Sequence, residues 1–156
     1  MLRGFHTILN LLPTQIAYAH CDIPCGIYDP HNAQMAAHTV LRMTHFLKEA
    51  GNDAHKISRL TKVKEEHAEL VKREVAVLWA DYFKEEHLKD YPNLHDLVFK
   101  ILKLASKAKQ EVNIENANEL ISKVQEFAEI FWKSKGRETT RVKSGYPTEG
   151  ELVLPK

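Results

Sequence analysis

Both cysteines of the chain, Cys21 and Cys25, stand in "AYAHCDIPCGIYDP" (residues 17–30), with His20 beside the first and Pro24 between them. Thiolates are soft donors, and two of them four residues apart can turn toward one metal ion if the chain between them bends. Pro24 fixes its own φ and biases Ile23 toward extended geometry, while Gly26 tolerates dihedrals closed to other residues, so the stretch reads as a small hook. Two thiolates fill half of a four-coordinate sphere, and there is no third cysteine for a zinc site of the usual kind.

Residues 1–19, "MLRGFHTILNLLPTQIAYA", bear on the missing donors. They hold one charged side chain, Arg3, and end in Ala17-Tyr18-Ala19, which fits an Ala-x-Ala cleavage site. Asn10, Pro13, Thr14 and Gln15 break the apolar stretch and make it a mediocre export signal. We read it as a removable leader; the alternatives are an ordinary flexible N-terminus or a lipoprotein signal, the second a poorer fit because bulky His20 precedes Cys21. Cleavage after Ala19 makes His20 the first residue, and its α-amine, its ring and the next backbone amide then lie within reach of the Cys21 sulfur. Amine, deprotonated amide and two thiolates form a planar N,S set with the imidazole available above it, a geometry that favours Ni(II) or Cu(II). Anionic sulfur and amide donors also stabilise a higher oxidation state, so a nickel ion can cycle there between Ni(II) and Ni(III).

The elements that must carry this hook read as helix. Asp29-Pro30 is a start signal, and Met35, Ala36, Thr39, Val40, Met43, Phe46 and Leu47 follow at helical spacing up to Gly51 and Asn52. A second helix is expected from Ala54 to Lys84, with Ile57, Leu60, Val63, Leu70, Val71, Val75 and Leu78 as its stripe. Pro92 opens a third, with Leu94, Leu97, Val98, Ile101, Leu102 and Ala105. Asn113 caps a fourth, with Ala117, Leu120, Ile121, Val124, Phe127, Phe131 and Trp132 inward and Gly136 as its stop. Four amphipathic helices with short links predict an all-α fold, an antiparallel four-helix bundle spanning residues 30–136, preceded by the hook at 20–29. Residues 137–156 hold two prolines, two glycines and few apolar side chains, and read as a flexible tail.

Composition narrows the function. The chain of 156 residues is 44% hydrophobic and 28% charged, enough for one ordinary core. With 22 basic against 21 acidic residues the formal charge is +1, which gives no reason to expect nucleic acid or an anionic membrane as partner. No apolar run has the roughly 18 residues a bilayer crossing needs. Gly-rich phosphate loops, Gly-x-Ser-x-Gly elbows and His-Glu-x-x-His pairs are absent from the sequence. The expected location is the cytoplasm, or outside it if the leader acts as a signal peptide.

"HCDIPCGIYDP" resembles the hook of the nickel-containing superoxide dismutases, His-Cys-Asp-x-Pro-Cys-Gly-x-Tyr-Asp-Pro, at every defined position. The similarity continues through "KVKEEHAEL", "VLWADYFK" and "YPNLHDL" to "FWKSKGR", covering residues 20–137. The resemblance implies a homohexamer of four-helix bundles whose propeptide a processing protease removes, with one nickel ion per subunit. It implies nickel held by the His20 amine, the Cys21 amide and the Cys21 and Cys25 sulfurs, with the His20 imidazole as axial ligand in the oxidised state. The reaction implied is dismutation of superoxide to oxygen and hydrogen peroxide. By the same carry-over, Asp22 and Tyr28 shape the small-anion pocket and order water for proton delivery, and Tyr82 hydrogen-bonds near Tyr28.

Two positions depart from the family pattern. The axial imidazole is steadied there by a Glu on the first helix linked to an Arg on the second, and the aligned residues here are Ala36 and His67. Partners of a metal-bound histidine set its orientation and basicity. His67 lies on the apolar stripe of the second helix, where an imidazole must be hydrogen-bonded; either it replaces the lost pair as support for His20, or it is a core histidine bonded to a backbone carbonyl or to Glu74. His31, His38 and His45 recur every seven residues, about 10.5 Å apart along a helix and too far to share an ion, so they read as a solvated or subunit-facing row.

Two readings from other classes use the same residues: a nickel-binding or delivery bundle without turnover, and a thiol redox protein in which Cys21 and Cys25 form a disulfide. The Asp, Pro, Gly and Tyr at their offsets in the hook speak against both.

Overall fold

A computed structural model of the chain describes residues 26–156, so the leader and His20, Cys21, Asp22 and Cys25 lie outside the described residues. The elements are α1 (His31–Lys48), α2 (Ala54–Val77), a π-helical turn (Leu78–Tyr82), α3 (Glu85–Asp90), α4 (Leu94–Gln110), α5 (Ile114–Ser134), β1 (Thr139–Lys143) and β2 (Glu151–Pro155). Helix α1 packs on α2 and α5, and α4 packs on the same two, so the four long helices close a ring in which chain neighbours are spatial neighbours. Its centre is filled by Ala33, Ala37, Val40, Val71, Val75, Leu94, Ile101, Leu120, Val124, Phe127 and Phe131, all fully buried. Each buried side chain of Val to Phe size contributes roughly 1.5–3 kcal/mol, which makes this stripe-to-stripe contact the main source of helix stability.

The helix ends follow local chemistry. Asp53 accepts the Lys56 N–H at 3.0 Å and Asn113 the Asn116 N–H at 2.9 Å, each satisfying an otherwise open first-turn amide. Gly136, at φ 69°, turns the chain back after α5, and the Arg137 N–H closes on Trp132 O at 3.0 Å. At the far end of α4 a charge does this work: Lys64 of α2 is buried, and its ammonium donates to Ala108 O, Lys109 O and, at 2.6 Å, Glu111 O. A cation at a helix C-terminus meets the negative end of the dipole and occupies carbonyls that would otherwise be unpaired. Desolvation pushes its pKa down, with Glu65 and Glu111 acting the other way.

The second helix is shorter than its apolar period predicts. It ends at Val77 and passes into the π-turn, closed by the Phe83 N–H on Leu78 O at 3.1 Å; Phe83 then leaves the helix in extended geometry and buries its ring against Phe127 and Phe131. The third long helix starts at Leu94 with Asn93 before it, so Pro92 lies in the preceding turn.

Residues 137–156 are not a flexible tail. They form an antiparallel hairpin with Thr139 opposite Pro155 and Lys143 opposite Glu151, laid on α1 and α5. Val153 is fully buried and Leu152 nearly so. The outer edge of β2 is occupied by side chains from the helices. Gln34 donates to Val153 O at 3.0 Å and accepts the Val153 N–H at 2.7 Å; Gln125 donates to Glu151 O at 2.7 Å, and His38 Nε2 lies 3.1 Å from the same oxygen. An edge strand's open amides are thereby paired within the chain.

This hairpin also corrects the reading of α1. Its buried face includes Ala33, Gln34, Ala37, His38, Leu41 and Thr44 because it has two partners, whereas Met35 is 40% exposed. His38 is not part of a solvated row: it is 3% exposed, its Nδ1 lies 2.9 Å from Thr148 Oγ1, and a Cβ added to Gly150 would fall 2.4 Å from its ring.

Burial lowers the His38 pKa from its ordinary 6.5, the bond to Glu151 acting in the opposite sense. The unfolded imidazole therefore takes up its proton at higher pH than the folded one. The anchoring is complete above about pH 6.5 and is progressively lost as pH falls from there to the lowered folded value. The protection factor of the Val153 amide against hydrogen exchange should drop several-fold between about pH 7 and pH 5. The same change in a His38→Gln variant would show that His38 is not the group responsible.

Candidate metal centre

The chain enters the described structure at one end of the ring, where α1 begins, the π-turn closes α2, and α5 ends. Gly26 has φ 73°, a left-handed conformation that favours glycine, immediately after Cys25. Ile27 is 80% exposed, and Tyr28 turns inward, half-buried. Asp29 then fixes the junction by accepting the His31 N–H at 2.7 Å, while Pro30 O accepts the Gln34 N–H at 3.2 Å. The residues following the two cysteines are thus tied to the first turn of α1.

Tyr28 packs its ring against Tyr82, with centroids 5.7 Å apart at 54°. Tyr82 is the last residue of the π-turn, a local insertion in the helical ladder of a kind frequent at functional sites. Its ring lies 4.7 Å from Phe131 and 5.0 Å from Phe83, and it stacks on His87 at 5.5 Å and 16°. The phenolic hydroxyl lies 2.9 Å from Ser134 Oγ, and Ser134 in turn donates to Phe131 O at 2.7 Å. The Lys135 ammonium stands over the rings of Phe131, Tyr82 and Trp132 at 4.8, 5.4 and 5.8 Å. Trp132 Nε1 is buried with no hydrogen-bond partner among the described residues. Nearby, burial raises the Tyr91 pKa, and its electrostatic interactions with Asp90 and with Tyr82 act in the same direction.

Among the described residues no three His, Cys, Asp or Glu side chains come together as a metal site. The expected donors precede residue 26, and their chemistry fits nickel: two thiols, an imidazole and, after cleavage, an amine. Of the other expected residues, Tyr28 and Tyr82 are brought together. His67 stands apart from the core; it is half-buried at the edge of α2, whose core residues are Lys64, Ala68, Val71 and Val75. Its Nδ1 lies 2.8 Å from Val63 O. That carbonyl can only accept, so Nδ1 carries the proton and a neutral ring keeps its acceptor at Nε2. One ring nitrogen is thus bonded to a backbone carbonyl, and Ala36 is fully buried on α1. Ser134 and Lys135 were not legible as site residues, since a serine and a lysine in the last turn of a helix are ordinary surface choices.

Residues 15–135 match the sequence profile of the family described as nickel-containing superoxide dismutase. The chain is 42% identical over 124 residues to the superoxide dismutase [Ni] of Streptomyces coelicolor, covering 79% of this chain and 93% of that protein. It is 39% identical over 117 residues to that of Streptomyces seoulensis, covering 75% and 88%. Among solved structures it is similar to native nickel superoxide dismutase, with TM-score 0.71 and 39% identity over 75% of this chain and 99% of the other. The apo form of that enzyme gives TM-score 0.68 at 37% identity, over 71% and 99%. The hairpin lies beyond the residues matched to the family.

Proposed function

The chain belongs to the nickel-containing superoxide dismutase family, oxidoreductases that act on superoxide, and we propose that His20, Cys21 and Cys25 hold its nickel once the leader is cut after Ala19. The observation that carries this placement is the packing of Tyr28 on Tyr82 at the bundle end where the chain arrives from Cys25. Nickel held by the His20 amine, the Cys21 amide and the two thiolates supplies one-electron redox chemistry. The chain's own residues do the rest. Asp22 and Tyr28 bound a pocket sized for a small anion, and the hydroxyls of Tyr28 and Tyr82 order water there. Two protons are consumed for each pair of superoxide ions converted to one oxygen and one hydrogen peroxide, so ordered donors beside the anion bear directly on turnover.

The reading takes the protein to be a cytoplasmic homohexamer with one nickel per subunit, its leader removed by a processing protease, with neither nucleic acid nor membrane as partner. The formal charge of +1 supports the last point, and no helix among the described residues is long and apolar enough to cross a membrane. The test is the nickel content and superoxide consumption of cut protein beside uncut protein.

His67 stands where the family carries the arginine that steadies the axial ring. With Nδ1 committed to Val63, its Nε2 is an acceptor suited to the ring N–H of His20. His67→Ala should leave nickel bound by the amine, the amide and the two thiolates and lower turnover by about 10- to 100-fold, the usual loss on removing a ligand's partner. The paramagnetic resonance of the oxidised enzyme should change with it, because a bound His20 ring nitrogen would split that signal. Unchanged splitting and turnover would leave His67 with its backbone bond alone.

A further inference from the structure

We propose that Ser134 is a positioning residue for superoxide turnover, acting through Tyr82 by fixing which way its phenolic proton points; this rests on the reading above that Tyr82 serves the nickel pocket. Ser134 Oγ lies 2.7 Å from Phe131 O, the carbonyl one turn back in α5. A carbonyl only accepts, so the single proton of the Ser134 hydroxyl is committed there. The Tyr82 hydroxyl lies 2.9 Å from the same Oγ, and with the serine proton occupied the phenol must be the donor. The bonds therefore run in one direction, from Tyr82 to Ser134 to Phe131 O.

Two consequences follow. The phenolic oxygen turns its lone pairs away from Ser134, which makes Tyr82 an acceptor toward whatever lies on its open side, and bonds aligned head to tail strengthen one another. The chain of bonds also terminates at a backbone carbonyl, which has no proton to release, so Ser134 cannot deliver protons from the bundle. It orients the phenol and relays no proton. The ring itself is held by Phe83, Phe131 and His87, which leaves rotation about the phenolic C–O bond as the freedom Ser134 removes.

Losing the serine oxygen frees that rotation and lets the phenol donate where it formerly accepted. In leader-cut, nickel-loaded enzyme, Ser134→Ala should lower turnover about 3- to 10-fold, the scale of one neutral hydrogen bond, with nickel content and helical circular dichroism unchanged. Ser134→Thr, which keeps the hydroxyl, should stay within about twofold of the parent. In a Tyr82→Phe background Ser134→Ala should cost nothing further, because the proton it orients is gone. Three results overturn the proposal: full turnover in Ser134→Ala, full turnover in Tyr82→Phe, or an equal loss from Ser134→Ala with and without the phenol, which would assign the effect to the end of α5. A parent enzyme without nickel or activity would instead defeat the reading on which the proposal rests.

Discussion

Protein that keeps residues 1–19 will bind nickel poorly and consume superoxide no faster than the spontaneous reaction, whereas protein cut after Ala19 will retain nickel and consume superoxide rapidly. In the uncut chain the His20 nitrogen is a peptide nitrogen whose lone pair is delocalised into the Ala19 carbonyl, so it cannot donate to a metal. Cleavage turns it into an amine, and the next amide becomes a neighbouring donor in a small chelate ring. A sharper control adds one alanine before His20 in otherwise cut protein: an amine is still present, but one residue too early, and activity should again be lost. The measurement is nickel per chain by elemental analysis with superoxide decay after pulse radiolysis. Full activity in the uncut chain would rule out the N-terminal amine as a ligand.

Cys21→Ser and Cys25→Ser should each abolish both nickel retention and turnover in cut protein, a loss to background rather than a partial one. A serine hydroxyl stays neutral near pH 7 and is a hard donor, so it replaces neither the charge nor the softness of a thiolate. The helices should be untouched, because among the described residues the core that closes their ring is built of apolar side chains from residues 33–131. This result also separates the alternatives. A carrier without turnover would lose only its metal, and a thiol–disulfide protein would show no dependence on nickel at all. Wild-type metal content and turnover in Cys25→Ser would exclude a site with two sulfurs.

What could be read from the residues divides along the range of the interactions involved. The donors expected in the hook lie within six consecutive positions, where covalent spacing alone limits what they can do. The four long helices are legible because a period of 3.6 residues records which face is buried, and Asn113 and Gly136 mark ends locally. The hairpin is not, since what holds it comes from far away: Gln34 and Val153 are 119 positions apart, and no local pattern announces their pairing. His38 was misplaced for the same reason, its neighbours at Thr148 and Glu151 being invisible from α1. Lys64 reads as one more surface charge until the end of α4 closes over it. The π-turn escapes notice because one extra residue in a helical ladder leaves the apolar spacing of Val71, Val75 and Leu78 intact.

The hairpin's dependence on Gln34, His38 and Gln125 carries a consequence for how such a chain can change over generations. A strand gained at the C-terminus would meet its matching side chains only if those three positions already held them, and once it covers them a side chain that cannot bond it leaves a strand N–H or C=O short of a partner. Substitutions at the three helix positions and the presence of residues 139–155 are therefore not independent heritable traits. A swap at Gln34 that is harmless in a chain without residues 139–155 becomes harmful in this one, so the three positions lose their freedom to vary for as long as the segment is kept.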